Sequence, residues 1–136
     1  MKTVTIVSDD RVGLLADISY VLGKSSVNIE GLFVDVVGGK AIISIEVKDY
    51  KKASEILGSN GFKTANSEAI IIKVANDHVD KIGEMLEGEK VQIKNLSRIS
   101  FDSRDGVFAL EVDKPRKATK LLSPVILGSS PTNDYY

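Results

Sequence analysis

The sequence predicts an α+β fold made of two copies of a βαββαβ unit. Apolar residues alternate along several short runs, which is typical of strands, and recur at helical spacing in the segments between these runs. The order of segments starts again after Ile70, which indicates an internal repeat. A chain of 136 residues with 43% hydrophobic residues is long enough to bury a core in each of two small units.

The first repeat begins with a strand, a tight loop and a helix. Val4 and Ile6 belong to an apolar run that the polar residues 8–11 and Gly13 interrupt. Ser25 and Ser26 are expected to end the helix that follows. The apolar residues at helical spacing in that helix are Leu14, Leu15, Ile18, Val21 and Leu22.

A β-hairpin is predicted next. The apolar residues between positions 27 and 36 indicate a second strand, and residues 41–47 form the most strand-like run of the first half. Gly38 and Gly39 lie between them, and glycine adopts the positive φ angles of tight hairpin turns without a steric penalty. We expect the strand after this turn to be central in its sheet.

A helix and a long strand complete the first repeat. Asp49 is a favourable N-cap for a helix with Ala53, Ile56 and Leu57 on one face, ending near residues 58–61. Residues 62–74 are predicted to form one long central strand that ends the first repeat and begins the second. The resulting unit is a ferredoxin-like sandwich, an antiparallel sheet with both helices on one face.

The second repeat follows the same order with a shift of about 67 residues. A short helix begins near Val79, residues 91–101 form a strand, and residues 102–106 connect it to a strand at 107–113. Pro115 is suited to the first position of the last helix, and residues 125–127 are predicted to form a short edge strand. We therefore predict a first repeat at 1–70, a second, degenerate repeat at 71–127 and a disordered tail at 128–136.

Composition argues against several classes of function. The chain has no cysteine and one histidine, His78, so we expect no thiolate catalysis, no metal site, no cofactor and no enzymatic activity. A net charge of −1 gives no field that would attract nucleic acid or an anionic membrane. No apolar run approaches the roughly 20 residues that span a bilayer, and we expect a cytoplasmic protein.

The loop before the first helix carries residues suited to a small zwitterion. Asp9 and Asp10 lie beside Gly13 and the predicted helix N-terminus, whose unpaired N–H groups favour an anion. A carboxylate pairs with an α-ammonium, and helix N–H groups donate hydrogen bonds to an α-carboxylate. Aspartate is also favoured in turns and at helix N-caps without any ligand, so both interpretations remain open.

Two stretches of the first repeat resemble the ACT domain family, and specifically the stand-alone proteins made of two ACT domains in tandem. Residues 8–18, SDDRVGLLADI, are similar to the family's loop of polar residues, a small residue or proline, glycine and two aliphatic residues. Residues 26–32, SVNIEGL, are similar to its entry into the second strand. In the second half the resemblance rests on element order.

The resemblance implies a non-catalytic regulatory module, a homodimer that binds an amino acid or similar metabolite and regulates amino-acid metabolism. A ligand-independent interaction or regulatory subunit of a metabolic enzyme is the alternative. In the second repeat Asp80, Lys81 and Gln92 replace Gly13, Leu14 and Asn28, so we expect that loop to have lost binding. The residues that the resemblance implies for ligand binding are Ser8, Asp9, Asp10, Val12, Gly13, Leu14 and Asn28.

Overall fold

The computed structural model describes residues 2–127, which divide into two compact units. The first unit ends at Ser67 and the second begins at Glu68. Each unit is an antiparallel sheet with helices, so the predicted α+β fold of two ferredoxin-like repeats is confirmed. The predicted tail, 128–136, lies outside the described residues.

The first unit has strand order β2-β3-β1-β4, with every neighbouring pair antiparallel. Its core lies between β1, β3 and the two helices, where Ile6, Ile45, Leu22 and Leu57 are fully buried. The elements are β1 (Lys2–Asp9), α1 (Leu14–Lys24), β2 (Gly31–Val37), β3 (Lys40–Val47), α2 (Tyr50–Ser59) and β4 (Lys63–Thr64).

The second unit repeats this arrangement with shorter helices. Its sheet order is β5-β7-β6, and an isolated antiparallel bridge adds Ile126 beside Ile72 of β5. Leu86 and Leu110 lie at the centre of its core. The elements are β5 (Ile70–Ala75), a 3₁₀ turn (Asn76–His78), α3 (Val79–Gly88), β6 (Ile93–Phe101), β7 (Asp105–Val112), α4 (Pro115–Leu122) and a 3₁₀ turn (Ser123–Val125).

The strand predicted to join the two repeats is divided into two. β4 pairs with β1 in the first sheet, β5 pairs with β7 in the second, and residues 65–69 belong to no strand. The interrupting sequence, ANSEA, contains residues that are uncommon in strands, and it provides no alternating apolar face. The predicted edge strand at 125–127 is likewise reduced, since Val125 ends a 3₁₀ turn and Ile126 alone makes a bridge.

Several local predictions are confirmed. Gly38 and Gly39 form a two-residue hairpin turn with φ angles of 59° and 77° between β2 and β3. Asp49 caps α2 by accepting a hydrogen bond from the Lys52 N–H at 3.1 Å. Pro115 occupies the first turn of α4, where its missing N–H leaves no helical hydrogen bond unmade.

Helices α1, α2 and α3 end in the same way, in a Schellman motif. The N–H of Val27 donates to the Leu22 carbonyl at 2.9 Å, and Val91 donates to Leu86 at 2.8 Å. The motif requires a residue with positive φ just past the helix, and only α2 places a glycine, Gly61, there. α1 and α3 use Ser26 (φ 60°) and Lys90 (φ 62°) instead.

Glycine is expected to stabilise the protein at these two positions, Ser26 and Lys90. A residue with a side chain costs about 1–2 kcal/mol in the left-handed region. Replacement by glycine removes this cost, but part of the gain is lost because glycine increases the conformational entropy of the unfolded chain. We therefore expect Ser26→Gly and Lys90→Gly each to raise the free energy of unfolding by about 0.5–1 kcal/mol, measured from the midpoint of urea unfolding. The reverse substitution, Gly61→Ala, should lower it, and a loss of stability in both glycine variants would contradict this account.

Candidate functional site

The loop between β1 and α1 has an unusual helix start. Gly13 is the N-cap residue of α1 in the left-handed conformation, with φ of 84°, and no side chain caps the helix. The alternative that Asp9 or Asp10 serves as the N-cap is therefore wrong. The Leu14 N–H donates to the Arg11 carbonyl at 3.3 Å, so the N–H groups of Leu15 and Ala16 are the ones at this end of α1 that a ligand could use.

Asp9 has a structural partner across the sheet. It lies directly opposite Lys40 in the β1–β3 register, and its carboxylate forms an ion pair with the Lys40 ammonium group. The hydrogen bond from Lys40, and then its charge, lower the pKa of Asp9 below the usual value of 3.8. A lowered folded-state pKa means that the stabilising contribution of this carboxylate is present above about pH 4 and is lost as the pH falls below it.

Asp10 and Asn28 present exposed side chains. Among residues 2–127, neither side chain forms a hydrogen bond or an ion pair with another described residue. The backbone of Asp10 is nevertheless held in place, because its N–H donates to the Gly39 carbonyl at 3.0 Å. The loop thus offers a carboxylate on a fixed backbone, and the segment before β2 offers an amide.

The remaining predicted residues of the loop differ in what they expose. Val12 is completely exposed, whereas Leu14 is buried in the core of the first unit and can face a ligand only through its backbone. The Ser8 hydroxyl donates to the carbonyl of Asp9 at 3.1 Å. The seven predicted residues therefore include two side chains free for a ligand, Asp10 and Asn28, and two that are already hydrogen-bonded.

An open cleft of about 410 Å³ lies on the first unit beside this loop. Three parts of the chain form it: the end of β1 with the following loop, α1, and the turn between α2 and β4. Ser8 is the one residue of the predicted set that lines it. The principal lining residues are Ser8, Arg11, Asp17, Tyr20, Asn60 and Phe62.

Arg11 and Asp17 are the charged residues of the cleft, and the sequence analysis assigned no role to either. Arg11 Nη2 lies 2.9 Å from Asp17 Oδ2. Asp17 lies in the first turn of α1, where the helix dipole favours a carboxylate. The contribution of Asn60 and Phe62 carries no local signal, because the α2–β4 turn reaches the cleft only through the fold.

The equivalent loop of the second unit is occupied by its own contacts. Asn76 N–H donates to the Arg104 carbonyl at 2.9 Å, which corresponds to the bond from Asp10 to Gly39. The side-chain amide of Asn76 also donates to the carbonyl of Asp102 at 2.9 Å. Where the first unit exposes the free Asp10 carboxylate, the second therefore has an amide committed to its own hairpin.

The described residues show neither the features of a metal site nor those of a membrane-spanning helix. Among residues 2–127, no group of three or more histidine, cysteine, aspartate or glutamate side chains is arranged to hold a metal ion. No helix in the described part of the chain is both long and apolar enough to cross a membrane.

Comparison with known proteins finds likeness in structure alone. No protein-family model matches the sequence, and no curated protein matches it. The chain is similar to protein BT0572 from Bacteroides thetaiotaomicron, with 22% identity, a TM-score of 0.48 and coverage of 92% of this chain and 89% of that one.

Two further solved structures are described by their role. The ligand-free regulatory subunit of aspartate kinase from Thermus thermophilus is 12% identical, with a TM-score of 0.42 and coverage of 90% and 89%. The small subunit of acetolactate synthase from Thermotoga maritima is 14% identical, with a TM-score of 0.40 and coverage of 91% and 88%. Structural likeness at this level carries no argument about function.

Proposed function

We propose that this chain is a non-catalytic regulatory module that binds an amino acid or a similar small metabolite at the β1–α1 loop and regulates amino-acid metabolism. The observation that supports this most is the pair of unengaged polar side chains, Asp10 and Asn28, together with the uncapped N-terminus of α1. The Asp10 carboxylate would pair with the ligand's ammonium group, and the helix N–H groups would donate hydrogen bonds to its carboxylate.

In this proposal the ligand bridges two copies of the chain. The Asp10 loop of one copy supplies the carboxylate, and Asn28 of a second copy supplies an amide that can donate and accept at once. Affinity then depends on assembly of the pair of chains. This dependence would let ligand occupancy change the assembly, and through it a partner enzyme.

A thermal-shift panel of the amino acids tests ligand binding. At about a hundredfold excess over Kd, a ligand that binds only the folded state should raise its stability by about 2.7 kcal/mol. Asp10→Ala and Asn28→Ala should each reduce this shift, because each removes a polar contact to the ligand at the loop. The matched controls are Asp77→Ala, which removes an exposed carboxylate from the loop of the second repeat, and Gln92→Ala, the counterpart of Asn28, and both should retain the full shift. The site assignment fails if no amino acid raises the melting temperature, or if the two site variants respond like the wild type.

The surface that we propose for pairing is β2, which is one of the two edge strands of the first sheet. Leu32, Val34 and Val36 are 41%, 45% and 49% exposed. Their register partners on β3, Ile45, Ile43 and Ala41, are buried in the core. The three exposed residues thus continue the apolar face of the sheet out to an unpaired edge, which is suited to a second copy.

The corresponding strand of the second sheet, β6, is less suited to regular pairing. It exposes Leu96 and Phe101, but two register shifts, between Ile93 and Asn95 and between Arg98 and Ser100, interrupt it. Such bulges twist an edge and discourage addition of another strand.

We therefore expect Val34→Asp to convert a dimer into a monomer in sedimentation experiments, because it places a carboxylate in the apolar contact. The folded monomer should lose little stability, since Val34 is already half exposed in it. Leu96→Asp, with the same change at an equally exposed edge position of β6, should remain dimeric. A wild-type chain that is monomeric, or a Val34→Asp variant that still dimerises, would contradict pairing through β2. A stable complex with an enzyme that does not respond to any amino acid would favour the alternative, a ligand-independent regulatory subunit.

A further inference from the structure

The cleft lined by Arg11 and Asp17 is a concave feature of the first unit, and the Asp10 and Asn28 side chains do not line it. Every residue that lines it belongs to the first unit. Its volume of about 410 Å³ is within the range of small-molecule sites in proteins.

The charges of the cleft are arranged for a zwitterion. Arg11 Nη2 and Asp17 Oδ2 are 2.9 Å apart, so a cationic and an anionic group lie side by side on one wall. A ligand with a carboxylate and an ammonium group on one carbon would meet both charges at once, through charge-assisted hydrogen bonds. The Arg11 and Asp17 side chains are 47% and 56% exposed, and an ion pair this exposed contributes little to stability. Exchange of this pair for contacts to a ligand therefore costs the fold little.

Three further residues give the largely polar cleft some apolar or aromatic surface. They are Tyr20 and Val21 of α1 and Phe62 before β4, all of which line it. Ser8 and Asn60 add polar atoms, and the Asn60 amide nitrogen is already fixed by its bond to the Ile56 carbonyl at 2.8 Å. A charged pair with adjacent aromatic surface is the combination that an amino acid with an apolar side chain requires.

We propose that this cleft binds a zwitterionic amino acid with an apolar side chain within a single chain. Arg11 binds its carboxylate, Asp17 binds its ammonium group, and Tyr20 and Phe62 contact its side chain. The site goes beyond the one proposed above, because it uses different side chains and does not depend on dimerisation.

Titration of the full chain with defined probes, followed by ¹H–¹⁵N NMR, tests the proposal. The probes are L-phenylalanine and L-leucine, with 3-phenylpropanoate and 2-phenylethylamine as analogues that lack the ammonium group or the carboxylate. We expect both amino acids to shift the amide signals of Ser8, Tyr20 and Gly61 in a saturable manner. Each analogue should bind at least tenfold more weakly, because it leaves one member of the ion pair without a ligand partner. Absence of binding by both amino acids at millimolar concentration would overturn the proposal.

Variants locate the binding and separate it from the loop site. Arg11→Gln and Asp17→Asn should each weaken binding of L-phenylalanine at least tenfold, and both should fold normally because the side chains are exposed. Arg104→Gln and Glu55→Gln remove matched charges elsewhere and should bind as the wild type does.

The Val34→Asp variant and the Asp10→Ala, Asn28→Ala double variant should also retain cleft binding. If the double variant loses binding of L-phenylalanine while Arg11→Gln keeps it, the cleft proposal is overturned and the loop site stands. If Arg11→Gln loses all amino-acid binding while the double variant keeps it, the cleft proposal is supported and the loop site is ruled out.

Discussion

Replacement of Leu22 by alanine is expected to lower the free energy of unfolding by about 3–4 kcal/mol, and Leu86→Ala should have a similar effect on the second unit. Both leucines are completely buried, and each occupies the third position from the end of its helix. Each also accepts, through its backbone carbonyl, the Schellman hydrogen bond that turns the chain back toward the sheet. Truncation leaves this carbonyl in place, so the loss reflects the transfer of methyl groups and the cavity that remains.

The measurement is urea unfolding of the full chain, followed by circular dichroism. The free energies of unfolding of the wild type and each variant are compared with a common m-value, the slope of that free energy against urea concentration. Leu15→Ala is the matched control, because Leu15 lies on the same helix as Leu22 but is 41% exposed. It should cost less than about 1 kcal/mol, since a half-exposed side chain leaves no closed cavity. Equal losses for Leu15→Ala and Leu22→Ala would show that the inner face of α1 has been assigned incorrectly.

Much of the fold could be predicted from the sequence because its signals are local. The apolar spacing of Leu14, Ile18 and Leu22 placed the inner face of α1, and all three are buried. Gly38-Gly39 located the hairpin, and Asp49 and Pro115 marked the starts of two helices. In each case the physical cause lies within a few residues of the position predicted.

The errors concern features that depend on distant parts of the chain or on the sign of a dihedral angle. Residues 62–74 were interpreted as one extended strand because apolar residues resume at Ile70 after the polar residues 66–68. The sequence does not show that the two ends of this segment belong to different sheets. One interpretation left open placed the N-cap among the aspartates, which are favoured there, but Gly13 takes this position in a left-handed conformation. The apolar spacing therefore located α1, but it did not determine the backbone conformation at the start of the helix.

The candidate site stays a prediction, and the structure shows what surrounds its residues. Asp9 pairs with Lys40, whereas the Asp10 side chain makes no hydrogen bond or ion pair within residues 2–127. This ion pair follows from strand register, which places Asp9 opposite Lys40 once the hairpin is known. The cleft at Arg11 and Asp17 could not be found in this way, because Asn60 and Phe62 reach it from a turn about fifty residues away.

The hairpin turn supports both the sheet and the candidate loop, so its disruption should have a large effect. Gly38 and Gly39 both have positive φ angles, as the two central residues of a type I′ turn require. Valine is strongly disfavoured there, at about 1–2 kcal/mol for each left-handed residue. We therefore expect the double variant Gly38→Val, Gly39→Val to lose about 2–4 kcal/mol of stability in urea unfolding.

The same turn holds the loop, since the Gly39 carbonyl accepts the Asp10 N–H and Lys40 pairs with Asp9. The double valine variant should therefore show a smaller rise in melting temperature with amino acids than the wild type. This reduction should exceed the one that its lower stability alone would cause. Gly38→Asn is the matched control, because Asn-Gly is a favoured type I′ pair, and it should match the wild type in both stability and ligand response. A double variant within about 0.5 kcal/mol of the wild type would mean that the turn tolerates a different geometry. In that case the backbone of Asp10 would not depend on the hairpin, and the support for the β1–α1 loop would have to come from the Asp9–Lys40 ion pair alone.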